Sequence, residues 1–165
     1  MKKYAGIDIG KSGAIVKLVD NSAITSIKMP LIKKELNLSE LNQIFENLKD
    51  DNYHVVFEKL GVIFGSSKVT AFSMGEQSGI IEALCVSHEI PYTKVRAVDW
   101  QKEMFQGITK IQKAGKTSTD TKAMALIAVN RLFPNVPLTF SGATKPHDGL
   151  IDALLMAEYA RRKNL

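Results

Sequence analysis

Residues 4–10 read Tyr-Ala-Gly-Ile-Asp-Ile-Gly, a short apolar run in which one acid, Asp8, stands just before a glycine turn. Burying a carboxylate in such a run costs free energy unless a cation or a hydrogen-bond donor meets it. Two further β-branched runs follow across tight turns, at 14–19 and 23–29. The pattern predicts three antiparallel strands with Asp8 ending the first. A plain Asp-x-Gly turn former is the alternative role for Asp8.

A second acid ends a second apolar run, because residues 53–57 predict a buried strand and Glu58 follows directly. For Glu58 alone, a salt-bridged edge residue is the alternative. Periodicity elsewhere predicts several helices and one more strand. These are helices at about 38–48 (capped by Ser39), 69–86, 99–105 (capped by Asp99), 120–132 and 147–162, and a strand at 93–98. The order predicts a mixed-sheet α/β layout within a single domain, residues 1–165.

The last predicted helix opens with two more acids, Asp148 and Asp152. Residues four apart share a helix face, so both side chains can point to one place. Acids also favour helix N-termini through the helix dipole, which is the alternative for Asp148. If the strands that end in Asp8 and Glu58 are parallel neighbours, the four acids meet once the first turn of this helix packs against the ends of those strands. Carboxylates that converge on one place repel one another unless cations neutralise their charge. Oxygen ligands favour Mg²⁺ or Mn²⁺. Two such ions can bind a scissile phosphate between them.

The charge pattern favours a polyanionic partner. The 165 residues include 22 Lys and Arg against 17 Asp and Glu, for a formal net charge of +5. The basic excess lies in residues 1–34 and 101–165, and such an excess suits nucleic acid. One cysteine excludes an intramolecular disulfide framework and a multi-thiolate zinc site. Apolar runs are too short to cross a membrane and no signal peptide is visible, so a cytoplasmic protein is expected.

Taken in order, these motifs resemble the RuvC-type Holliday junction resolvases of the ribonuclease H-like superfamily, especially the phage-borne branch. The resemblance covers nearly the whole chain, through stretches 6–10, 57–58, 64–79, 99–102, 113–122 and 147–154. It implies a ribonuclease H-like α/β fold, a five-stranded mixed sheet flanked by helices, with the first and fourth strands adjacent. It also implies metal-dependent nicking of Holliday junctions and other branched DNA, with two Mg²⁺ or Mn²⁺ ions per site and no membrane partner. The family forms homodimers through the long helix, and a small-residue stripe there (Gly75, Gly79, Ala83) fits such a contact.

Carried over residue by residue, the resemblance makes four acids the metal ligands and catalytic residues: Asp8, Glu58, Asp148 and Asp152. Lys122 matches the family's catalytic lysine near the scissile phosphate, and Lys116 competes for that role. Phe64 lies in the loop whose apolar tip stacks at the junction centre, with a buried loop anchor as the alternative. Together with Phe64, the candidate DNA-binding residues are Lys68, Lys102, Lys113, Lys116 and Lys122.

One departure from the family pattern concerns the last two acids. The family commonly spaces them three apart, but that position is Gly149 here, and the acid stands at Asp148. Four apart still shares a helix face, so Asp148 remains a candidate ligand. His147 adjoins it and is the alternative ligand or base.

Two other functions fit parts of the pattern. Sugar kinases and actin-like ATPases also carry Asp-x-Gly in their first hairpin, but they need two such domains around the nucleotide. The chain also has no Gly-x-x-x-x-Gly-Lys-Ser/Thr phosphate loop. The other alternative function is a non-catalytic branched-DNA-binding module. The acids Asp8, Glu58 and Asp152 speak against it, because a pure binder gains nothing from carboxylates that face phosphates.

Overall fold

One five-stranded sheet organises the fold. The computed structural model describes residues 2–20, 23–61 and 67–165. Its strands are β1 (Lys3–Asp8), β2 (Ala14–Val19), β3 (Ala23–Lys28), β4 (Leu31–Ile32), β5 (Glu35–Leu36), β6 (Tyr53–Glu58) and β7 (Tyr92–Val95). Its helices are α1 (Leu38–Asp50), α2 (Lys68–Ser87), α3 (Ala97–Met104), α4 (Thr121–Leu132) and α5 (Asp148–Lys163).

The main sheet has the spatial order β3-β2-β1-β6-β7. The first three strands along the chain form an antiparallel meander, and β6 and β7 add in parallel on the other side of β1. The predicted mixed five-stranded sheet flanked by helices is therefore confirmed. The adjacency of the first strand and the strand at Tyr53–Glu58 is confirmed with it.

Two hydrophobic cores lie on the two faces of this sheet. One core packs α3, α4 and α5 against one face, and the other packs α1 and α2 against the opposite face. Helix α5 crosses β1 very closely, because a Cβ added at Gly6 would lie 1.9 Å from the carbonyl oxygen of Ala153. No side chain fits at position 6, so this glycine sets the depth at which α5 meets the sheet.

Both predicted helix caps are wrong. Helix α1 is capped by Asn37, whose side chain accepts a hydrogen bond from the Glu40 N–H, and Ser39 lies inside the first turn. Strand β7 ends at Val95, and α3 begins at Ala97 rather than at the predicted cap Asp99. The carboxylate of Asp99 instead accepts two hydrogen bonds from the Arg96 guanidinium, at 2.7 and 2.8 Å. The apolar residues after Val95 therefore belong to a helix face and not to a longer strand.

The sequence did not indicate the small hairpin formed by β4 and β5. Its two turn residues, Lys33 and Lys34, have φ values of 49° and 67°. Turns of this kind are usually signalled by Asn, Asp or Gly, which accept the left-handed conformation readily. Two lysines carry no such signal.

The described residues cover helix α2 on one side only. Its buried residues are Gln77, Ile81 and Cys85, whereas Val69 and Phe72 are 78% and 74% exposed. Among the described helices, none has the length and apolar character that a membrane crossing requires.

Candidate active site at the carboxyl edge of the sheet

The first two acids stand side by side at the edge where β1 and β6 end. These strands are parallel, with Ile7 opposite Phe57, so Asp8 and Glu58 are the next residues on neighbouring strands. Neighbouring strands lie about 4.8 Å apart. The structure therefore brings these two predicted residues together.

Helix α5 carries the other two acids. The hydrogen bonds at its N-terminus show which residue caps it. The Nδ1 atom of His147 accepts a hydrogen bond from the Leu150 N–H at 3.1 Å. The His147 backbone N–H donates to the Leu138 carbonyl at 2.8 Å, and its ring meets Phe140 edge-on. His147 is thus the helix cap and Asp148 is not. The Asp148 side chain stays available to the site, one turn before Asp152.

The environment of Gly149 explains why the acid lies at position 148, one residue before the position that commonly carries it in the family. A Cβ added there would lie 2.6 Å from the Oδ2 atom of Asp8, and 2.9 Å from both the Gly13 Cα and the Ser12 carbonyl oxygen. Two of these neighbours are backbone atoms that cannot move aside cheaply. The position that commonly carries the family's acid is closed to any side chain in this chain.

The acids act on one another electrostatically. Burial raises the pKa of Asp8 to about 7, and the negative charges of Asp152, Glu58 and Asp148 add to the rise. Burial likewise raises the pKa of Asp152 to about 6, with Glu58 and Asp148 contributing. In both cases the Lys122 ammonium opposes the rise. This edge of the sheet therefore carries more negative charge than its protein neighbours neutralise.

Lys122 is the lysine that the structure brings to the acids. It is the second residue of α4, and its Nζ atom donates to the Oδ2 atom of Asp148. The Asp120 side chain caps α4 by accepting a hydrogen bond from the Ala123 N–H, which fixes the helix start beside the site. The competing candidate, Lys116, lies in the exposed loop at 107–119 and forms no ion pair with the described acids.

By chemistry, the carboxylates suit Mg²⁺ or Mn²⁺, because all of them are hard oxygen donors. The raised pKa values of Asp8 and Asp152 indicate charge that a cation would neutralise. Within the described ranges, however, no three Asp, Glu, His or Cys side chains lie close enough together to hold a metal ion. The acids in this structure interact through space without forming a closed ligand cage.

The remaining DNA-binding candidates are exposed wherever the structure describes them. Lys113 and Lys116 are exposed in the loop that the Gln112–Thr119 bridge closes. Lys102 is exposed on α3, and Lys68 is exposed as the first residue of α2. Phe64 lies outside the described residues.

Sequence reasoning missed a buried neighbour of Glu58. Burial raises the pKa of Glu58, and the indole N–H of Trp100 opposes that rise, which places it near the carboxylate. Trp100 is 1% exposed, and its Nε1 atom forms no hydrogen bond of regular geometry with the described residues. The available signal was that Trp100 is the only tryptophan in the chain. A second feature missed is Lys28, which lies close enough to His147 to help lower the pKa of that imidazole below its ordinary value, after burial.

Comparison with known proteins supports the fold. No protein-family model and no curated protein sequence matches the chain. Among solved structures, it is similar to Thermus thermophilus RuvC in complex with a Holliday junction substrate, with a TM-score of 0.61 and 16% identity. That match covers 99% of this chain and 96% of the other. A second Thermus thermophilus RuvC structure matches with a TM-score of 0.60 and 16% identity, covering 98% and 96%. The RuvC-like fold predicted from the motifs is confirmed.

Proposed function

We propose that this chain is a metal-dependent endonuclease that nicks Holliday junctions and other branched DNA. One observation carries the proposal: in a RuvC-like fold, three half-buried carboxylates and the exposed Asp148 lie at one edge of the sheet without enough positive charge to neutralise them. Half-buried like charges of this kind are unfavourable for folding and are typical of sites that bind cations and catalyse reactions. The nuclease spans residues 1–165 as a single domain.

The metal ligands in this proposal are Asp8, Glu58, Asp148 and Asp152. When bound, two Mg²⁺ or Mn²⁺ ions would polarise the scissile phosphate, lower the pKa of an attacking water and stabilise the leaving 3′ oxygen. Gly6 and Gly149 let α5 approach β1 closely enough for the charges of Asp152 and Asp8 to interact before any substrate binds.

Lys122 has the role of a phosphate-binding residue. Its ammonium now donates to Asp148 at the border of the site. A DNA phosphate that enters beside the acids offers the same ammonium a second anionic acceptor. We propose that Lys122 then binds a non-bridging phosphate oxygen and leaves the Asp148 carboxylate free for a cation.

DNA binding away from the acids is assigned to the exposed lysines. Lys113 and Lys116 contact backbone phosphates, and Lys68 and Lys102 extend the basic surface. Phosphate contacts position the substrate without reading its sequence. A DNA-processing role also fits the cytoplasmic location expected from the sequence.

The active form in this proposal is a twofold homodimer. A four-way junction has approximate twofold symmetry, so two symmetric nicks require two sites related by an axis. The exposed side of α2 supports this arrangement, since Gly75 and Gly79 have no described atom within 4 Å of an added Cβ, apart from their own helix backbone and chain neighbours. A second α2 can approach this surface closely.

One gel experiment separates the proposal from its rivals. A four-way junction labelled on one strand is incubated with the protein in Mg²⁺, in Ca²⁺ and in EDTA. The proposal predicts nicks in Mg²⁺ and binding without nicks in Ca²⁺. A non-catalytic binding module would bind under every condition and never nick, and an actin-like ATPase fragment would do neither.

A further inference from the structure

A second basic surface lies at the same edge of the sheet as the acids, and the proposed function has not used it. It consists of Lys28, Lys33 and Lys34, and we call it the hairpin surface. Strand β3 ends at this edge, because Asp8 pairs with Ala14 and Ala14 pairs with Lys28 across the sheet. Lys28 therefore lies two strands from Asp8, at a backbone distance of about 10 Å.

The β4–β5 hairpin carries the other two lysines beyond the edge. Lys33 follows Pro30 by three residue steps, so at 3.2–3.4 Å per residue the turn lies up to about 10 Å from Pro30. The side chains of Lys33 and Lys34 are exposed there. Neither forms an ion pair with an acid in the described part of the chain.

The hairpin is held firmly against the turn that follows Asp8. The Lys11 ammonium pairs with the Glu35 carboxylate at 2.6 Å, which joins the β1–β2 turn to β5. The Met29 N–H donates to the Gly13 carbonyl at 3.1 Å, and the Asn37 N–H closes the hairpin on the Pro30 carbonyl at 3.0 Å. The two free lysines are therefore presented at a defined position relative to the acids.

Folding alone does not account for lysines at this turn. Both have positive φ values, 49° and 67°, in a region that side chains other than Asn, Asp and Gly enter at a cost. Like charges at adjacent exposed positions add repulsion. An anionic partner would relieve the repulsion between the two ammonium groups, and the nearest site that receives an anion is the proposed scissile position.

We propose that the hairpin surface binds backbone phosphates of the DNA strand that flanks the scissile phosphate, and so positions one arm of the substrate. This inference rests on the proposed function. It concerns residues separate in the chain from the loop at 107–119, so the proposal assigns DNA binding to two different basic segments. Because the contacts are to phosphates, they strengthen binding to all sequences alike.

The test uses a variant that removes the charges and improves the turn. Lys33→Asn/Lys34→Gly introduces the residue pair that two-residue hairpin turns prefer, so thermal stability should be equal or higher. Each lost phosphate contact lowers the slope of log affinity against log salt by about 0.9, so the slope should fall by about 1.8. Near 0.1 M salt, affinity for a synthetic four-way junction in Ca²⁺ should drop roughly tenfold or more.

Two control variants complete the experiment. Lys33→Arg/Lys34→Arg keeps the charges and should keep the wild-type slope. Lys2→Ala/Lys49→Ala removes two charges beside the starts of β1 and β6, at the opposite edge of the sheet, and should change the slope little. If the Lys33→Asn/Lys34→Gly variant binds the junction with the wild-type salt slope, this inference is wrong. The proposed function still stands in that case, provided that the wild-type protein nicks the junction. A wild-type protein that binds no junction contradicts the proposed function itself, and the inference fails with it.

Discussion

Replacing Asp8 with asparagine should abolish nicking and at the same time make the metal-free protein more stable. Asp8 lies in the fold with its pKa raised from 3.8 to about 7. Each pKa unit corresponds to 1.36 kcal/mol, so keeping this carboxylate ionised above pH 7 costs the folded state up to about 4 kcal/mol. Asparagine removes the charge but still buries a polar amide, so we expect a net gain of about 1–3 kcal/mol.

The gain should depend on pH in a defined direction. Above pH 7, Asp8 is ionised in both the folded and the unfolded chain, and the folded chain carries the full cost. Between pH 7 and pH 3.8, the folded chain binds a proton that the unfolded chain does not, so the cost is relieved as the pH falls. The advantage of Asp8→Asn over the wild type should therefore be largest near pH 8 and should shrink towards pH 5.

Thermal unfolding in EDTA at pH 8 and pH 5 measures this effect. For a domain of this size, 1 kcal/mol moves the midpoint by about 2–4 °C, so a gain of about 1–3 kcal/mol should make Asp8→Asn melt about 2–12 °C above the wild type at pH 8. Asp50→Asn is the matched control, since Asp50 is exposed at the end of α1, and it should change the midpoint by little. A variant of Asp8 that melts at or below the wild type at pH 8 would refute the idea that uncompensated charge is concentrated at this site.

Three further substitutions test the other assignments. Asp148→Asn should impair nicking severely, and high Mn²⁺ should restore part of the lost activity. Helix α5 should stay stable because His147 is its cap. Near-normal nicking would show that Asp148 is not a metal ligand. Gly79→Leu should convert the proposed homodimer to a monomer, measured by light scattering, without loss of the fold; a wild type that cuts junctions as a monomer would contradict the proposed dimer. Lys113→Ala should lower the salt slope of junction binding by about 0.9; an unchanged slope would place the DNA elsewhere.

The parts of this fold that the sequence predicted depend on local patterns. The apolar runs ending in Asp8 and Glu58 carry their own strand signal, and α5 follows from its apolar periodicity. These elements are confirmed close to their expected bounds. The two acids lie side by side only if the strands that they end are parallel neighbours. The residues alone left that arrangement open, and the family resemblance implied it.

The parts that escaped prediction depend on contacts between distant residues. Gly149 is a departure from a motif in the sequence, and only the approach of Ser12, Gly13 and Asp8 shows why a side chain cannot stand there. The position of Trp100 beside Glu58 arises from the packing of α3 after β7. The hairpin at Lys33 was missed because its turn lacks the usual residues, and only pairing across the sheet shows that β3, which leads into the hairpin, ends at the edge that carries the acids.

The central claim is that the acids at the carboxyl edge of the sheet form a nuclease site, and single-turnover nicking tests it most directly. A labelled four-way junction is saturated with wild type, Asp152→Asn or Glu58→Gln in Ca²⁺-free buffer, with occupancy checked by gel shift, and Mg²⁺ then starts the reaction. The account predicts equal occupancy for all three proteins, nicking by the wild type, and no measurable nicking by either variant. Nicking by Asp152→Asn or Glu58→Gln at a rate near that of the wild type would contradict it.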